Sequence, residues 1–248
     1  RLKRQQFFFF FPMCCFCGGE VLSIEIDHIP ARHLFTDRQW PEGYVFPACA
    51  ECNDASASDE LVMGFLVRIQ LSDMSADEEK ELGRAVWSIG DRHPELMQGM
   101  RELSRIETRR FLREQGVSIT SFPWEPYIVT VPETLMDVPK RYGEKLGKAL
   151  YYFHTGKILP RSGVVSVTAM TNSQFMSPNF PLEKFNILNK KPILTRSGKS
   201  LESQFQYRYA VPDDGLGAAF LVQFRESTAM LILVHESMDT YSAITTPN

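Results

Sequence analysis

The chain has 248 residues, 44% hydrophobic and 23% charged, enough to bury a real core in one large domain or two small ones. A formal net charge of -3 excludes a protein that is basic throughout, and no apolar run approaches the roughly 20 residues of a transmembrane helix. The five cysteines all fall within the first 52 residues, which argues against a disulfide scaffold and for a tetrahedral metal in a reducing, cytoplasmic setting.

Taken in chain order, Arg1 to Arg4 precede five phenylalanines, Phe7 to Phe11, broken at Pro12. With no small-residue cleavage site behind it, this run reads as a strand or an aromatic plug and not as a signal peptide. A β-leaning stretch spans Val21 to Ile26. From Leu61 to Leu71 the sequence is almost wholly apolar, and Asp59 and Glu60 at its start favour a helix. Ser75 and Glu78 form a capping box ahead of Leu82, Ala85, Val86 and Ile89 at helical spacing. A further helix is predicted from Pro94 to about Gln115, with Leu96, Met100 and Leu103 inward. Another is predicted from Asp137 to Gly156, with Pro139 in its first turn and Val138, Tyr142, Ala149, Leu150 and Phe153 on one face. The period then changes to two: Phe205, Tyr207 and Tyr209 alternate with polar residues, a Pro212 to Gly215 turn follows, and AAFLVQF and AMLILVH read as two more strands. The expected class is α+β: a module over residues 1–60, then an α+β domain over 61–248 with helices at about 59–115 and 137–156 and antiparallel strands at about 204–235.

Charge is distributed unevenly. Residues 51–104 carry twelve acids against five bases, net -7, and residues 139–199 carry eleven bases against Glu144 and Glu183, net +9. The second segment, with Tyr142, Tyr151 and Tyr152, is the candidate surface for phosphates. Arg101, Arg105, Arg109 and Arg113 recur every four residues, but interleaved Glu102, Glu107 and Glu114 make an ordinary solvated face the simpler reading.

The chemistry-bearing pattern is C-x2-C at Cys14 and Cys17, then Asp27-His28-Ile29-Pro30, then C-x2-C-N at Cys49, Cys52 and Asn53. Four thiolates at about 2.3 Å can close a tetrahedral zinc site, which stabilises a module too small to rely on its core. Cys15 falls outside the C-x2-C spacing and reads as a non-ligand. The 31 residues between the two knuckles exceed an ordinary zinc ribbon, so they carry structure of their own. At the end of a strand, neighbouring side chains diverge, so Asp27 can face a cation while His28 faces a water. Phosphodiester hydrolysis asks for that pair: a hard divalent cation and a base working near neutral pH.

The stretch from Cys14 to Asn53 resembles the HNH endonuclease family, whose ββα-metal fold carries an Asp-His pair on a hairpin and the last motif residue on the following helix. The resemblance implies Mg²⁺ or Mn²⁺ on Asp27 and Asn53, His28 as general base, and a structural zinc on Cys14, Cys17, Cys49 and Cys52. It implies nucleic acid, DNA ahead of RNA, as the substrate, and phage defence or restriction as the setting. The central Asn of the family motif falls here at or near Tyr44, which bears on loop geometry. The reading from another class is a catalytically inactive zinc module that docks nucleic acid or a protein. Residues 61–248 are open to a sensing or oligomerising role with a homo-oligomer or a regulatory protein as partner. His93, His154 and His235 lack spaced ligand partners and read as structural.

Overall fold

The computed structural model describes residues 2–69, 74–121, 128–175 and 180–237. The phenylalanine run forms neither strand nor plug: it continues a helix, α1 (Leu2–Phe10), in which Phe9 and Phe10 remain 80% and 70% exposed. The run has no β-branched residue, no glycine and no strand to pair with, so nothing local opposes the helix. The strand expected from Val21 to Ile26 shortens to β1 (Glu25–Asp27), because Val21, Leu22 and Ile24 point outward and Leu22 makes only an isolated bridge to Met13. β1 pairs antiparallel with β2 (Phe46–Ala48), with Asp27 opposite Phe46, and α2 (Ala50–Asp54) follows at once.

The apolar run after Glu60 is helical, as its flanking acids suggest, and belongs to α3 (Ala57–Leu66), which buries Val62, Met63, Phe65 and Leu66. Gln70 and Leu71 lie outside the described residues. Ser75 caps α4 (Ala76–Arg92) with the full reciprocal box to Glu78. The single helix predicted from Pro94 to Gln115 is three elements instead: α5 (Pro94–Met97), β3 (Arg101–Glu102) and α6 (Arg105–Glu114). The break has a local cause, since Ser104 and Glu107 form a second capping box that starts a new helix, and β3 is drawn into pairing with β4 (Val129–Thr130). Arg101 therefore leaves the arginine stripe and forms a two-pronged bond to Glu107.

After α7 (Glu133–Met136) comes α8 (Val138–Thr155), closed by Gly156 in the left-handed conformation at φ 69°. Its inward face is as read, except that Phe153 stays 43% exposed. β5 (Val164–Thr171) and α9 (Asn172–Phe175) lead to the short hairpin of β6 (Thr195–Arg196) and β7 (Lys199–Ser200). β8 (Phe205–Ala210), β9 (Gly217–Phe224) and β10 (Thr228–His235) complete a four-stranded antiparallel sheet in the order β5-β10-β9-β8, in which Val167 faces Ile232 and Tyr207 faces Val222. The Pro212 to Gly215 turn closes as predicted, with the Gly215 amide donating to the Pro212 carbonyl at 2.9 Å.

The approach of α8 to this sheet sets the position of everything that follows. Cβ atoms at Gly143 and Gly147 would fall 2.6 to 2.8 Å from side chains of Val167, Ile232 and Val165, so only glycine permits this contact. Lys145, two residues from each glycine, projects from the opposite face of α8, toward β1 and α3. One apolar core runs from Cys14 and Phe46 through Leu146 to Phe205 and Ile232, so packing is continuous across residue 60. Among the described residues no helix is long and apolar enough to cross a membrane.

Candidate metal centre and the Asp27 site

Two turns deliver the cysteines. The first knuckle lies in the turn after Pro12, and the second opens α2, where Cys49 is the N-cap and its sulfur accepts from the Cys52 amide at 3.5 Å. The Phe16 amide donates to Cys14 Sγ at 3.4 Å in the same way. The sulfurs of Cys14, Cys17, Cys49 and Cys52 all lie within 4.8 Å of one another. A zinc ion with bonds near 2.3 Å asks for sulfur separations of about 3.8 Å, which falls within that limit. Burial pushes the Cys52 thiol up, and hydrogen bonding and charge at Cys49 and Cys14 push it further. The cluster can hold a structural metal such as zinc. Cys15 lies outside the cluster: it is fully buried, and desolvation first, then the neighbouring Cys14, holds its thiol protonated.

Asp27 ends β1 and is 5% exposed. Its Oδ1 accepts from the His28 amide at 2.7 Å, and its Oδ2 lies 2.5 Å from Lys145 Nζ, an ion pair out of line for a hydrogen bond. Lys145 also donates to Ser56 Oγ and meets Glu60 Oε1 at 3.2 Å, while Ser56 Oγ donates to Glu60 at 2.7 Å. Tyr142, wholly buried beside this group, accepts from the Ala31 amide at 3.2 Å, and burial holds its phenol far above the ordinary range. Asn53, on α2, turns its amide to Glu25, donating to Oε2 at 2.5 Å. Glu25 and Asp27, two apart on β1, share a strand face, and Asp27 and Asn53 each have a protein partner, Lys145 and Glu25.

His28 is half-buried with its ring edge-on to Trp40, centroids 4.7 Å apart. Arg196 lies 4.0 Å and Arg32 5.3 Å from the Trp40 ring centre, so two guanidinium groups flank the histidine's neighbour. Desolvation, then Arg32 and Arg196, lower the His28 pKa, opposed by Asp27. Arg196 arrives from the β6–β7 hairpin, which is anchored where Glu42 N donates to Thr195 O at 3.0 Å and Ser197 N donates to Glu42 Oε1 at 2.8 Å. Tyr44 is buried with its hydroxyl 2.6 Å from that of Tyr207.

Lys145, Glu25 and Arg196 were not singled out from the sequence, and Glu60 was read only as an acid at a helix start. Lys145 and Arg196 belong to the basic segment 139–199, and what separates them from its surface charges, burial for Lys145 and the face of Trp40 for Arg196, is not shown by sequence. Much of that segment's charge is matched by acids: Arg141 with Asp59 at 2.6 Å, Arg161 with Glu20 at 2.9 Å and Lys191 with Glu202 at 3.0 Å. His154 is structural in its setting, stacked on Tyr209 at 3.8 Å and bonded to the Tyr207 hydroxyl at 2.8 Å. Comparison with protein-family models, curated proteins and solved structures finds no match to the chain.

Proposed function

We propose that the chain is a metal-dependent endonuclease that hydrolyses phosphodiester bonds, with DNA as the leading substrate. The observation that supports it is the order strand, strand, helix, braced by the four-cysteine cluster, with Asp27 and His28 at the end of β1 and Asn53 on α2. Asp27 and Asn53 would hold the cation, which when bound offsets charge on the scissile phosphate. His28, kept neutral by burial, would take the proton from the attacking water. Arg32 and Arg196 would place positive charge near the phosphate without competing for that proton. Lys145 on Asp27 favours one second reading, an inactive zinc module that docks nucleic acid or protein, because the ammonium supplies the charge a catalytic cation would supply.

Cleavage of supercoiled plasmid separates the readings. The nuclease reading requires nicking with Mg²⁺ or Mn²⁺ that is lost in His28→Ala and in Asn53→Ala while bound zinc is retained. No cleavage by the wild type with any divalent cation, or equal cleavage by His28→Ala, transfers the assignment to the docking module.

A further inference from the structure

A cleft of about 670 Å³ opens between α3, α4 and the turns at 32–38, within the range of small-molecule sites. Most charged groups on its wall are engaged. Arg68 pairs with Glu81 at 3.3 Å and donates to the carbonyls of Gly64 and His33, Glu81 also meets Arg225 at 3.5 Å, and Glu60 is held by Ser56 and Lys145. The side chains of Arg38, Arg84 and Arg92 have no hydrogen-bond or ion-pair partner among the described residues, and one acid whose carboxylate also has none there, Asp37, lines the same cleft. Arg84, Ser88 and Arg92 are spaced four apart and form one stripe on α4. Arg38 is brought to the opposite wall by a turn in which both Asp37 and Arg38 are left-handed, at φ 52° and 57°.

From these features we propose that the cleft binds a small polyphosphate ligand, its phosphates on Arg84, Arg92 and Arg38. Three guanidinium forks suit phosphate oxygens. The acids elsewhere in residues 51–104 oppose a long polyanion lying across this face, so a small phosphate ligand, free or at the end of a strand, fits best. The site does not depend on the nuclease reading.

Calorimetric titration of the intact protein with ATP, with inorganic pyrophosphate and with a twelve-nucleotide single-stranded DNA, all without added Mg²⁺, tests it. Saturable ATP binding is expected, weakened about tenfold or more in Arg84→Ala and in Arg92→Ala and unchanged in Arg110→Ala, an exposed arginine on α6. Oligonucleotide that competes with ATP identifies a strand end as the natural source, and oligonucleotide that does not compete identifies a free phosphate ligand. No saturable binding of any of the three probes by folded wild type, or full affinity in both arginine variants, overturns the proposal.

Discussion

Lys145→Met is the most informative perturbation of the Asp27 site. Lys145 is 9% exposed and sits between two carboxylates, Asp27 and Glu60, whose side chains are 7% and 15% exposed. Methionine conserves the length of the stem but leaves both acids, and the Ser56 hydroxyl, without their cation. Removing one member of a buried ion pair costs about 3 to 5 kcal/mol, and the two acids left behind place this case toward the upper end. For a chain of this size about 4 kcal/mol corresponds to a fall in Tm of roughly 8 to 16 °C. Melting followed by circular dichroism at neutral pH reads it directly. The double variant Lys145→Met with Asp27→Asn should recover part of the loss, because the remaining charge is single. A single variant that melts within about 3 °C of wild type would refute the reasoning, since it would mean that water and not Lys145 neutralises Asp27.

Three other outcomes follow from the packing. Gly147→Ala, whose Cβ would fall 2.7 Å from Ile232 and 2.8 Å from Val165, should cost about 1 to 3 kcal/mol in urea unfolding, whereas the open Gly83 on α4 should tolerate alanine. Tyr44→Phe removes the 2.6 Å bond to Tyr207, which keeps its bond to His154, so the loss should be near 1 kcal/mol in the same assay. Burial lowers His154 from 6.5 to about 4, so the unfolded chain binds a proton that the folded chain refuses between those values. Stability should fall as pH drops from about 6.5 to 4, by on the order of 1 to 2 kcal/mol after solvent screening, and His154→Gln should flatten that slope.

What was legible in the sequence was local. The capping box at Ser75, the proline-to-glycine frame of α8 and the alternation in β8 each rest on contacts within a few residues, and each formed as read. Each C-x2-C spacing sets its own two sulfurs in one short turn, and the pairing of β1 with β2 and the Cys15 amide on the Pro47 carbonyl carry the two turns together. The misreadings came where two local signals competed. The helical pattern after Pro94 yielded to a second capping box, and the phenylalanine run, with no partner strand, became helix. The counterion of Asp27 was illegible because it comes from 118 residues away, placed by two glycines whose role exists only against the sheet. Arg196 beside Trp40 is illegible for the same reason, being set by a hairpin that docks on the 41–45 loop.

Zinc content by mass spectrometry of the purified, dialysed protein tests the cysteine cluster as a metal centre most directly. One zinc per chain is predicted in wild type and in Cys15→Ala, with loss of the metal and of cooperative melting in Cys49→Ser and Cys52→Ser. A wild-type protein that folds with no bound metal, or Cys52→Ser protein that retains a full equivalent of zinc, would contradict it.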